Sequence, residues 1–193
     1  MRCDFGKKAE AKGTTTGYDE IFGIDIYHDA CGLIQRNDRM RWRLIYGKTP
    51  TAYTGPDHAR SESGGYIFTE ATGVKSGDTA VMYTEELSVK ENCNLTIKFY
   101  YLLYGSGMGG LTVQETGTEK LFWAVHTQAH EDGSTWSLAS IHLQHSFLSS
   151  GDVQFDFVGV RGETETSDIG LDDITIVQEC PSVIGKSWRS QFV

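Results

Sequence analysis

Apolar and polar positions alternate with a period of two along much of the chain. The longest example places Leu95, Ile97, Phe99, Tyr101 and Leu103 on one side and Thr96, Lys98, Tyr100, Leu102 and Tyr104 on the other. Successive side chains of a strand point to opposite faces, so this run predicts a long β-strand with one face in a core. Segments 65–71, 80–87, 120–127, 134–143, 152–160 and 169–178 read as strands too, as does the run opening with Leu111 and Val113. Between two of these strands lies "GSGMGG", residues 105–110, which reads as a hairpin turn whose glycines supply a positive φ. No segment sustains a 3.6-residue period. Short strands separated by Gly, Ser, Thr and Asp turns predict an all-β fold, an antiparallel sandwich, because a parallel sheet would need crossover helices. Residues 1–181 read as a single domain, with an irregular excursion over 4–30, and residues 182–193 as a linker or tail.

One strand breaks its own parity. In "DIGLDDITIVQEC", residues 168–180, Ile169 and Leu171 occupy odd positions and Ile174 and Ile176 even ones, so strict alternation cannot send all four into a core. An extra residue at Asp172–Asp173, a β-bulge, restores the alignment; a strand buried on both faces needs none. A bulge here directs a carboxylate towards Asp57 of "GPDH" and Asp168, making an oxygen-rich pocket suited to one structural calcium ion, or to sodium where fewer charges converge. Asp172 and Asp173 alone do not make a glycosidase. Its two carboxyls flank the scissile bond at roughly 5 to 10 Å, and neighbours on one strand project to opposite faces.

Charge narrows the partners. With 17 Lys plus Arg against 26 Asp plus Glu, the net charge of -9 opposes binding to nucleic acid or to anionic membranes. No stretch reaches the roughly 18 apolar residues of a membrane span, so this segment does not insert directly. The four cysteines, Cys3, Cys31, Cys93 and Cys180, lack zinc-site spacing. Their even number, together with the Asn94-Leu95-Thr96 sequon, favours disulfides, an extracellular setting and a glycan on Asn94 over four reduced thiols. Three pairings remain open to this reading. His126 and His130 stand four apart, a spacing that brings two imidazoles together on a helix but separates them on a strand, so both read as ordinary surface or half-buried residues. No nucleophile motif or other catalytic set appears. If Leu95, Phe99 and Leu103 are the buried set, Tyr100, Leu102 and Tyr104 form an outward stripe, either a protein interface or a face covered by loops.

The motifs "CDF" at 3–5, "CGLIQ" at 31–35, "RW" at 41–42, "TGPDH" at 54–58, "CNLTIKFYYLLYG" at 93–105, "GGLTV" at 109–113, "VQFDFVGVRG" at 153–162 and "DIGLDDITIVQEC" at 168–180 occur in an order that resembles a MAM domain. This extracellular module is named for meprins, a neuronal surface antigen and a receptor tyrosine phosphatase. The resemblance implies a two-sheet antiparallel jelly roll with disulfides Cys3–Cys31 and Cys93–Cys180. It also implies a non-enzymatic role in adhesion or assembly with a protein ectodomain, a second copy of the chain included. Gly6 stands where the family carries an acid after "DF", and Leu33 where it carries an aromatic after "CG", so a cation site using that acid loses a ligand. A lectin-like jelly roll, binding glycans through exposed aromatics beside the carboxylates, is the second reading.

Overall fold

The computed structural model describes residues 1–3, 5, 18–19, 23–25, 28–30, 32–61, 63–118, 120–126 and 130–181, with side chains left out at 3, 18–19, 23–25 and 28–30. The Cys3–Cys31 pairing, Gly6 and the tail at 182–193 fall outside that description. The strands are β1 (Arg2–Cys3), β2 (Tyr18–Asp19), β3 (Gly23–Asp25), β4 (His28–Ala30), β5 (Leu33–Gln35), β6 (Trp42–Ile45), β7 (Tyr66–Thr69) and β8 (Thr79–Thr84). They continue with β9 (Leu87–Ser88), β10 (Asn94–Leu103), β11 (Gly110–Glu115), β12 (Leu121–His126), β13 (Ser137–Gln144), β14 (Asp152–Val153), β15 (Phe155–Val160) and β16 (Ile169–Glu179). The one helical element among the described residues is a single 3-10 turn, His145–Phe147.

Two antiparallel sheets form a sandwich. An eight-stranded sheet runs β13-β10-β16-β7-β6-β3-β2, with β1 also on β16, and faces a six-stranded sheet ordered β12-β11-β15-β8-β5-β4. The alternating residues meet between them: Ile97, Phe99, Leu103, Leu111, Val113, Phe155, Phe157 and Trp42 are all fully buried. Trp42 also donates its indole N–H to the Ala80 carbonyl across the core at 3.0 Å, which satisfies the polar group that a buried Trp carries inwards. The Phe99 ring meets Phe157 and Trp123 edge-on, with centroids 5.5 and 5.1 Å apart.

The "GSGMGG" segment is not a hairpin. β10 belongs to the larger sheet and β11 to the smaller, so residues 104–109 arch from one layer to the other. Gly107 and Gly162 serve close backbone approach there: a Cβ on Gly162 would lie 1.7 Å from the Gly107 carbonyl oxygen. Alternation announces a strand and its facing, but not which sheet it joins.

The bulge is present. On β10, only Phe99 separates Lys98 from Tyr100, whereas Asp173 and Ile174 separate their partners Asp172 and Thr175 on β16. Asp173 takes φ 51, a left-handed conformation that Asp adopts more readily than most residues. As a result Ile169, Leu171, Ile174 and Ile176 are all buried despite their mixed parity. The opposite edge of β16 changes partner at the same place: β7 pairs with Ile169–Leu171, and β1 with Ile174 and Thr175.

The larger sheet is covered on its outer face at one end. Tyr66 and Phe68 of β7 form a second, smaller cluster with Ala59, against which Ile45 and Trp136 pack. The lid over them is the long β6–β7 connection, described at residues 46–61 and 63–65.

Candidate functional site

This connection passes over β16 at the bulge, and most of the sequence-predicted acids lie beneath or beside it. The approach is close because Gly170 has no side chain: a Cβ there would sit 2.3 Å from Pro56 Cγ and 2.9 Å from Trp136 Cη2. Trp136 donates its indole N–H to the His58 carbonyl at 3.1 Å and meets the Tyr66 ring edge-on at 5.5 Å. The buried Tyr66 hydroxyl donates to the carbonyls of Gly47 (2.7 Å) and Pro56 (3.0 Å), tying the loop down. Burial pushes its phenol well above the ordinary range, with Asp168, Asp57 and Asp172 adding to the effect. Each of these three acids has its own partner.

Asp57 pairs with Lys48 at 2.8 Å, and both are substantially exposed. Asp172, 3% exposed, accepts from the backbone N–H of Arg60 at 3.0 Å and of Asp173 at 2.8 Å. Burial pushes its carboxyl up to about 6, the Asp173 charge adds to this, and the Arg60 and Asp173 amides oppose it. Asp173 pairs with the Arg60 guanidinium, whose Cζ lies 4.6 Å from the centre of the Tyr100 ring. A guanidinium over a tyrosine face is attracted by the ring quadrupole. The bulge therefore turns one carboxylate under the loop and its neighbour onto an exposed arginine.

Asp168 is wholly buried. Its Oδ1 accepts from Ala71 N–H at 2.9 Å. Burial and the nearby Glu70 carboxylate both raise its pKa far above the usual carboxylate range. Glu70, also buried, accepts on Oε1 from Thr72 N–H at 2.9 Å. Asp168 Oδ2 and Glu70 Oε2 are buried with no hydrogen-bond partner. The four acids Asp57, Asp168, Asp172 and Asp173 do not converge on one point, and among the described residues no three His, Cys, Asp or Glu side chains are placed to hold a metal ion. Sequence reasoning passed over Glu70, although it follows the fully buried run Tyr66–Thr69, where an acid needs a reason to be.

The aromatic stripe divides. Leu102 is fully buried and cannot be part of a surface, while Tyr100 and Tyr104 are half-buried. Tyr104 contributes its carbonyl to the loop, accepting from the Thr54 hydroxyl and Gly55 N–H at 2.9 Å each. The outer face stays open towards the far end of β10. There Leu138 is 53% and Val177 50% exposed, in cross-strand rows with Tyr100 and Thr96 respectively. At that end Asn94 is exposed and Thr96 is buried, its hydroxyl 3.1 Å from His142 Nδ1. Cys93 and Cys180 beside them form a disulfide. His130 is buried, not a surface residue: its ring Nδ1 accepts from Leu103 N–H at 3.0 Å and its Nε2 lies 2.9 Å from the Ser137 hydroxyl.

An all-β, two-sheet sandwich with a disulfide beside the paired ends of its two longest strands, and among the described residues no helix beyond one 3-10 turn, defines the class. The chain belongs to the MAM domain family (meprin/A5/mu), whose pattern it matches over residues 26–181. Thyroid hormone-induced protein B of Xenopus laevis is 36% identical over 152 residues, 75% of this chain and 21% of that protein. Human MAM domain-containing protein 2 is 32% identical over 158 residues, 76% of this chain and 21% of that protein. The chain thus spans about a fifth of the length of these curated relatives. Among solved structures, a cyclase from Fischerella sp. TAU has a TM-score of 0.56 at 14% identity, over 93% of this chain and 98% of that one. The adhesin domain K1 of Lys-gingipain from Porphyromonas gingivalis reaches 0.53 at 14% identity, over 86% and 98%. At that identity the likeness is one of fold alone.

Proposed function

We propose that this domain is a non-enzymatic extracellular adhesion or assembly module that recognises a protein ectodomain through the outer face of β13, β10 and β16. The observation that carries the reading is the composition of that face: Arg60 stacked on Tyr100, with Leu138 and Val177 about half exposed alongside. Tyr and Arg are the residues that dominate binding energy at protein interfaces, set among apolar contacts that exclude water. The Cys93–Cys180 disulfide and membership of the MAM family support the extracellular setting. Asn94, exposed at the rim of the face, is the glycan acceptor in this reading.

A glycan-binding reading has one observation in its favour. Tyr53 is 77% exposed and held at φ 64, a strained conformation for a bulky residue, and the Lys48–Asp57 pair in the same loop could hydrogen-bond a sugar. One experiment separates the two: the oxidised domain is presented to a panel of ectodomains and to a glycan array, beside Arg60→Ala and Tyr53→Ala variants. Ectodomain binding weakened about tenfold or more by Arg60→Ala is expected. Glycan binding abolished by Tyr53→Ala, with no ectodomain bound, would replace the first reading by the second.

The buried pair Glu70 and Asp168 is proposed as the seat of one structural cation, calcium or sodium. Two like charges with orphan oxygens in a buried site are stabilised by a cation, though calcium takes six to eight oxygens, so carbonyls and water would complete the shell. Saturating calcium is expected to raise the thermal midpoint by about 5 °C over chelated protein, and Asp168→Asn to abolish that difference. A midpoint indifferent to calcium and sodium would remove the site.

A further inference from the structure

Strand edges left unpaired are templates for further pairing, and proteins usually blunt them with charges, bulges or brevity. The two sheets of the sandwich end in four strands. β12 carries a bulge, since Val113 and Gln114 are consecutive on β11 but their partners Trp123 and Leu121 are not on β12. β4 is irregular in the same way, with His28 and Ala30 opposite the adjacent Ile34 and Leu33. β2 is two residues long. β13 has none of these devices. Its eight residues, SLASIHLQ, include no Asp, Glu, Lys, Arg or Pro, and it pairs with β10 through an unbroken register from Ser137 to Gln144. Among the described residues nothing pairs with its outer edge.

We propose that the outer edge of β13, unpaired among the described residues, pairs with β13 of a second copy of this chain, the two strands running antiparallel about a two-fold axis at Ser140. The inference rests on the assembly reading for its context and adds to it a surface and a partner. Self-complementarity selects a copy of the chain, and charge permits it: at a net -9 two copies repel over most of their surfaces, whereas β13 offers an approach with no carboxylate on either strand. An axis at Ser140 sets Ala139 opposite Ile141 and Ser137 opposite Leu143 on the core side, small against large. On the solvent side it sets Leu138, 53% exposed, opposite His142. Antiparallel pairing keeps each residue facing the same side as its partner, so both cores extend through the junction. A two-fold contact of this kind closes after two copies, which limits the edge to a dimer and protects it from open-ended growth.

The test is sedimentation velocity of the oxidised chain from micromolar to millimolar concentration, with hydrogen exchange at β13. A monomer–dimer equilibrium is expected, with β13 amides more protected at high concentration. Ser140→Lys, an exposed position, places two ammonium groups face to face on the axis and is expected to weaken the dimer about tenfold or more. A second variant tests the register: Ser140→Cys is expected to cross-link to itself under mild oxidation, whereas Leu138→Cys, two residues off the axis, is not. A chain that stays monomeric throughout, a dimer unaffected by Ser140→Lys, or cross-linking of Leu138→Cys as efficient as that of Ser140→Cys would each overturn the proposal. Arg60→Ala leaves β13 untouched, so self-association measured on that variant reports on the dimer separately from ectodomain recognition.

Discussion

Replacing Cys93 and Cys180 together by serine is expected to lower the stability of the domain by about 4 kcal/mol and its thermal midpoint by about 10 °C. The bridge closes a segment with a sequence separation of 87, and in the chain-entropy account the loss falls on the unfolded state, which regains the freedom the cross-link removed. The folded state has little to lose in alignment. β10 and β16 are already held in register from Asn94 opposite Glu179 to Leu103 opposite Ile169, with the bulge fixing the phase. Urea unfolding distinguishes this account from one based on folded-state packing. If the unfolded chain expands when the bridge is gone, the dependence of stability on urea steepens as the midpoint falls. A midpoint that falls with an unchanged slope would place the effect in the folded state, at the buried Cys93.

The strands were legible because each satisfies a local rule: one face meets the core, so the period of two appears in the sequence whatever the neighbours are. The bulge was legible for the same reason, since Ile169 and Leu171 disagree in parity with Ile174 and Ile176, and all four are buried. What sequence could not carry was the assignment of strands to sheets and the course of the long connection over the outer face. Period two is identical for β10 paired with β11 and for β10 in the opposite layer, so the arch at 104–109 passed for a hairpin. Leu102 reads as outward, which its facing is, but the β6–β7 connection covers that end of the sheet and buries it completely. The same covering decides the fate of the acids. Asp172 was singled out by its setting in a strand and Asp168 by its place just before that strand, whereas Glu70 and Arg60, which share their surroundings, come from distant segments that only the folded chain brings alongside. The sequence offered one cue, because Glu70 follows the strand-forming run Tyr66-Ile67-Phe68-Thr69, all four of which are buried.

Asp172 is expected to cost the domain stability on the order of 2 kcal/mol as the pH rises from about 4 to 7, alongside the wholly buried Asp168, whose raised carboxyl acts in the same sense. Burial raises the folded-state carboxyl of Asp172 to about 6 from an ordinary value of 3.8. A folded pKa above the unfolded one means that the folded chain holds the proton more tightly between these values. The contribution is fully present below the unfolded pKa and is lost as the pH rises through the folded one. Above it, the loop closes over a charge that two backbone amides, those of Arg60 and Asp173, only partly offset. Other carboxylates work in the opposite sense at lower pH: Asp132 is held below its ordinary value by the Ser134 and Thr135 donors, so the total profile mixes signs. The comparison that isolates Asp172 is therefore a difference, wild type minus Asp172→Asn, from urea unfolding across this range. Asparagine offers one acceptor where the carboxylate offers two, which adds a cost that does not vary with pH, so the slope of the difference is the readout. It is expected to fall with rising pH and to flatten above about 7. A difference that is level from pH 4 to 7 would mean that the loop admits water to the bulge, and that Asp172 titrates as an ordinary solvated carboxylate.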